Sequence, residues 1–203
     1  MRATWPTAEE NGGRRHSGSA RGLFFALIVT ICTPAHGDQE TIATLVKPLN
    51  LISYRAGTAP PAFDSTTPTA RPYSLADLRG KVVIINFWAS WCAECRPEMP
   101  ALQRLHRDYS TRGLVIIGIN AREDAATIRR FAKKLNLTFP LLLDPDGKIN
   151  ATYGVVGLPA TFIIGRDGRA IAFAVGTREW TSAPARALVE ALLTEPIARI
   201  GAL

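Results

Sequence analysis

The chain has 203 residues, 47% of them hydrophobic and 20% charged, with a formal net charge of +7. That composition excludes a disordered chain, and the lack of any apolar run near 18 residues excludes an obvious long membrane-spanning helix. The length gives one domain of ordinary size room for a real hydrophobic core.

The first 37 residues differ in character from the rest. Arg14, Arg15 and Arg21 precede the short apolar run "LFFALIVTIC" (residues 23–32), and "TPAHGDQ" follows with small Ala35 and Gly37. A basic region, a short apolar region and a small-residue exit make a secretory signal over residues 1–37, with cleavage after Gly37. The alternative is an uncleaved N-terminal membrane anchor built on residues 23–32, although that run is short for a span of about 20 residues. The adjacent arginines lack the flanking residues of a twin-arginine signal. Cys32 follows Ile31, where a lipoprotein site would want a small residue. Either way the working part lies outside the cytoplasm: exported or periplasmic, soluble or anchored. Beyond residue 37 stand twenty Lys and Arg against fifteen Asp and Glu, scattered without a long run. This balance reads as a solvated surface and argues against nucleic-acid binding.

Residues 38–58 form a linker or an extension carrying an extra strand or helix, apolar in "TIATLVKPLNLISY" but interrupted by Pro48. The domain proper is expected over residues 59–203. It begins with "TAPPAFDSTTPTARP", whose prolines disfavour helix and favour an extended lead-in with a short hairpin. "SLADLRGK" gives a short helical turn closed by Gly80, and "VVIINFW" (82–88) a strand buried on both faces. A helix is expected from Cys92 to Tyr109, its first turns bent by Pro97 and Pro100. "LVIIGIN" (114–120) is the next buried strand, residues 124–136 an amphipathic helix, and "FPLLLD" a strand. "ATFIIGRDGRAIAFAV" is a hairpin turning at Arg166-Asp167-Gly168, and a last helix covers about 182–193. Early strand–helix alternation implies parallel pairing and the hairpin adds antiparallel strands. The fold class is therefore α/β, a three-layer sandwich of helices on both faces of a mixed sheet.

The stretch "FWASWCAECRPEMP" (87–100) carries the chemistry. Export leaves only Cys92 and Cys95, two residues apart, which is no disulfide framework but one special pair. Where a buried strand gives way to a helix, Cys92 lies at the helix N-terminus. There the partial positive charge favours a thiolate, so Cys92 is the attacking sulfur. Cys95, nearly one turn on, can close a disulfide with it and points inward as the resolving thiol. Competing readings weaken in turn. A c-type haem anchor needs His after the second cysteine, and Arg96 stands there. A zinc site needs four ligands. A copper-handling module using the two thiols as soft ligands has only His106 beside them and must find further ligands elsewhere. A purely structural disulfide closing so short a loop stabilises little.

The same residues carry a resemblance. "VVIINFWASWCAECRPEMPAL" looks like the active-site region of thioredoxin-fold proteins, and is most similar to the exported TlpA, ResA and cytochrome c-maturation (CcmG/DsbE) branch. "SLADLRGK", "GLPATFII" (157–164) and "GTREW" (176–180) match that branch too, so the resemblance covers about residues 59–195. It implies a thioredoxin-like fold and a thiol–disulfide oxidoreductase that reduces protein disulfides. Electrons would come from a membrane donor of the CcdA/DsbD type. No dissociable cofactor and no metal are implied, the redox-active Cys92–Cys95 pair being the working group. Trp91 matches the tryptophan before the nucleophile, and Pro159 the cis-proline that faces the disulfide. Leu158 would then present its backbone to an extended substrate. Glu98 matches an acid of the reductive branch, turned back toward the cysteines. Two positions depart from thioredoxin itself: Asn86 stands where thioredoxin has a buried acid, and Ala93-Glu94 replaces a proline-bearing dipeptide.

Overall fold

The computed structural model describes residues 37–195. In chain order these form α1 (Gly37–Val46), β1 (Ile52–Ser53), β2 (Asp64–Thr66), β3 (Pro72–Ser74), β4 (Val82–Trp88), α2 (Cys95–Tyr109) and β5 (Leu114–Ala121). They continue with α3 (Ala125–Leu135), β6 (Leu141–Asp144), α4 (Lys148–Thr152), β7 (Ala160–Ile164), β8 (Ala170–Val175) and α5 (Ala183–Thr194). Residues 1–36 of the segment expected to form a signal or anchor, 23–32 included, lie outside the described part. No helix among the described residues is long and apolar enough to cross a membrane.

Six strands make one mixed sheet in the order β1-β8-β7-β4-β5-β6, and β2 and β3 pair separately as the short hairpin expected in the proline-rich lead-in. β4, β5 and β6 run parallel, whereas β7 is antiparallel to β4 and to β8. All seven residues of β4 are buried, because the strand is central and both its faces are covered. Its side chains alternate. Val82, Ile84 and Trp88 enter a core built with α1, α2, α3 and α5, while Val83, Ile85 and Phe87 enter a second core with Phe63, Ile149 and Tyr153. The mixed three-layer α/β sandwich is thus present, with one thick helical face and a thinner one made by α4, the β2–β3 hairpin and the Leu75–Leu78 turn.

Three points go beyond the sequence reading and have physical causes. Residues 38–58 fold mainly as α1, a short 3-10 turn and β1, packed as an integral extension. Ile42, Val46, Leu49 and Leu51 are buried in the larger core, and β1 adds an edge strand beside β8. Pro48 does not break this packing because it sits at the start of a short 3-10 turn, where a missing N–H costs nothing. Helix α2 begins at Cys95, three residues later than expected, since residues 90–94 are used by turns. The short helix α4 has no counterpart in the sequence reading; it forms because the buried Asp144 carboxylate accepts from the N–H groups of Ile149 and Asn150 and from Asn150 Nδ2.

Candidate active site

The loop between β4 and α2 is held from both sides. The Glu123 carboxylate accepts from the Ser90 N–H (2.7 Å), from the Ser90 hydroxyl and from Asn120 Nδ2 (2.7 Å). Arg96 Nε donates to the Ser90 carbonyl at 2.9 Å. Asn120 is paired with Trp88 across the parallel β4–β5 ladder, so the loop is tied to the ends of both strands.

In that fixed loop Cys92 and Cys95 form a disulfide, with their Cα atoms 5.3 Å apart. Although α2 starts only at Cys95, the sulfur of Cys92 still lies at the helix N-terminus: the Cys95 N–H donates to Cys92 Sγ at 3.1 Å. An N–H at a helix start that points at a sulfur stabilises its thiolate when the pair is reduced. The two sulfurs are unequal in access. Cys92 retains 7% exposure and Cys95 1%. Cys92 also lines an open cleft of about 430 Å3, shared with Trp91, Arg122, Asn150, Val156 and Leu158, whereas Cys95 does not reach it. Trp91 and Val156, 66% and 89% exposed, stand at this cleft as apolar side chains facing water.

The sequence-predicted residues fall into two groups. Trp91, Cys92 and Leu158 share the cleft. The Leu158–Pro159 peptide is cis, and Pro159 is buried behind it just before β7. Among the described residues, no backbone hydrogen bond occupies the Leu158 N–H or carbonyl. Glu98 lies beneath, one turn beyond Cys95 on the same helix face, and is only 3% exposed. Its carboxylate makes no hydrogen bond to either sulfur. It accepts instead from Asn86 Nδ2 (3.1 Å), the Arg178 N–H (3.0 Å) and Trp180 Nε1 (2.7 Å). Burial raises the Glu98 pKa above the usual carboxylate range, against the pull of the Arg178, Trp180 and Asn86 donors.

Asn86 occupies the place of thioredoxin's buried acid and serves that carboxylate from the neighbouring strand. Its Nδ2 also donates to Thr161 Oγ1 (3.0 Å), from the residue opposite it on β7. The sequence reading assigns no role to Trp180, Thr161, Glu123 or Arg122. The "GTREW" match is the one signal that could have found Trp180; the others are brought in by strand register and loop closure.

A central strand delivering an oxidised Cys-x-x-Cys pair to a helix N-terminus, beside a cis-proline loop, is the architecture of the thiol–disulfide oxidoreductases of thioredoxin-like fold. The pattern of the AhpC/TSA family matches residues 56–172, more than half of the chain, and the protein belongs to that family. It is 38% identical over 115 residues to the thiol-disulfide oxidoreductase ResA of Bacillus thuringiensis subsp. konkukian, a match spanning 57% of this chain and 66% of that one, just under two thirds of the relative's length. It is 38% identical over 129 residues to the thioredoxin-like protein YneN of Bacillus subtilis, covering 62% and 75% of the two chains. Among solved structures, a thiol:disulfide interchange protein of the thioredoxin family from Chlorobium tepidum TLS superposes with a TM-score of 0.62 at 28% identity. That superposition covers 69% of this chain and 99% of the other.

Proposed function

We propose that this protein is an exported reductant of protein disulfides, acting in cytochrome c maturation or a related reduction outside the cytoplasm. The observation that carries the reading is the inequality of the two sulfurs: Cys92 opens to a largely apolar cleft and Cys95 does not reach it. In the reduced protein the Cys92 thiolate attacks one sulfur of a substrate disulfide. The substrate's other sulfur leaves as a thiolate and a mixed disulfide forms. Cys95, losing its proton, attacks the Cys92 sulfur, and the second substrate thiolate departs. Two electrons have passed to the substrate, and the chain is left with the Cys92–Cys95 disulfide.

An extended substrate segment would lie along Trp91 and pair with the open backbone of Leu158, in the manner of an added strand. Glu98 is the group suited to take the Cys95 proton, since its raised pKa brings it nearer to that of a thiol. Its carboxylate would have to exchange part of its present hydrogen bonding for that task. A dithiol donor of the CcdA/DsbD type in the membrane would restore the reduced pair. The N-terminal basic and apolar residues support export, with or without retention as a tether.

The test is trapping. Cys95→Ser should accumulate mixed disulfides with oxidised substrate through Cys92, while Cys92→Ser should accumulate none. In the reduced protein, iodoacetamide at neutral pH should label Cys92 far faster than Cys95. Equal labelling of both thiols, or trapping by the Cys92→Ser protein, would overturn the assignment. Tight Cu(I) binding without reduction of insulin disulfides would replace it with metal handling.

A further inference from the structure

Arg122 is in a place that arginine does not choose for its backbone. It follows β5 with φ +63°, in the left-handed region that strains any residue with a Cβ. Its N–H donates to the Asp144 carbonyl (3.2 Å), so the turn is tied to the end of β6 and the conformation is imposed. The side chain crosses to Gly147, itself at φ +74°. A Cβ on Gly147 would collide with Arg122 Nε and stand 3.1 Å from Cζ. Only a glycine leaves the guanidinium that position. The result is an exposed arginine lying along the wall of the cleft that contains Cys92. Among the described residues it is the only charged side chain lining that cleft, and no carboxylate pairs with it. Strain held at a cleft wall beside a reacting group points to use by a ligand.

We propose that Arg122 is a specificity-determining residue that selects disulfide substrates carrying an acidic side chain next to the reacting cysteine. This deepens, and rests on, the disulfide-exchange reading above. A guanidinium grips a carboxylate with two parallel N–H donors, which fixes the position of the segment as well as its charge. With Trp91 and Val156 supplying apolar contact, the preferred substrate segment is extended, acidic on one side of its cysteine and apolar on the other.

Two short synthetic peptides with an internal disulfide, identical except for Glu or Lys flanking the cysteines, test this. The protein should reduce the Glu peptide threefold to tenfold more efficiently at low salt, chiefly through KM, and the preference should fade as salt is added. Arg122→Gly, which suits the backbone and should fold, should erase the preference, and Arg122→Glu should invert it. The pH profile of Cys92 alkylation should overlay in the unaltered protein and Arg122→Gly. A preference that survives both substitutions overturns the proposal. So does an alkylation profile displaced in Arg122→Gly, which would make the arginine a thiolate partner instead. Failure of the unaltered protein to reduce even the neutral hydroxyethyl disulfide would sink the oxidoreductase reading itself, a result distinct from either.

Discussion

Glu98 shows what a single buried residue does to the whole protein's pH response. Its pKa is raised by desolvation, so the folded chain holds this proton at pH values where the unfolded chain has lost it. Stability from this group is therefore greatest below the ordinary carboxylate pKa near 4.5. It falls as pH rises from there through the raised value. Glu98→Gln carries no such proton. The stability of the natural protein relative to this variant should decline across that window and level off above it, as urea denaturation at a series of pH values would record. The variant should also lower the pH at which Cys92 becomes alkylated, because a like charge one turn from the pair is gone. Asn86 makes the exchange tolerable. Its Oδ1 is buried without a partner, so turning the amide over presents an acceptor to the side-chain amide that Glu98→Gln introduces, or to Glu98 itself when protonated. If stability and alkylation profiles both overlay those of the natural protein, Glu98 is only a structural anchor.

At the scale of elements, the cleft depends on α4, a helix of five residues that propensity alone would not sustain. Asp144 at the end of β6 holds its first turn with three hydrogen bonds, and Asn150 and Ala151 of that helix line the cleft opposite Cys92. Asp144→Ala should cost about 2–4 kcal/mol by leaving buried N–H groups unserved. It should also raise KM for protein substrates more than it lowers kcat, because the cleft wall loosens while the Cys92–Cys95 loop keeps its own supports. Denaturant titration and steady-state reduction kinetics would check both; a fall confined to kcat would mean that α4 supports the disulfide itself.

At the scale of the molecule, the segment before residue 59 belongs to the working domain. Besides burying four apolar side chains, it reaches the site: Arg178 Nη2 donates to the Asn50 carbonyl (3.0 Å), and the N–H of the same Arg178 donates to Glu98. A chain beginning at residue 59 should lose several kcal/mol relative to one beginning at residue 38, each buried aliphatic side chain being worth about 1.5–3 kcal/mol. Its melting temperature should fall by about 10 °C or more. The loop carrying Arg178 and Trp180 should exchange its amide hydrogens faster, as hydrogen exchange would show; unchanged exchange there would confine the segment's role to the core.

What the sequence determined by itself was local. β-branched runs marked the buried strands, the apolar period of residues 124–136 marked α3, and the spacing of Cys92 and Cys95 at a strand end pointed to a redox pair. Each of these is encoded in a few contiguous residues, by period or spacing. The tertiary structure alone decided the partners. It brought Trp180, Asn86 and Thr161 together around Glu98, drew residues 42–51 into the core, and laid Arg122 across Gly147 beside Cys92. Those contacts join residues far apart in the chain, and which donor meets a buried carboxylate is settled by strand register and loop closure, which no local pattern spells out.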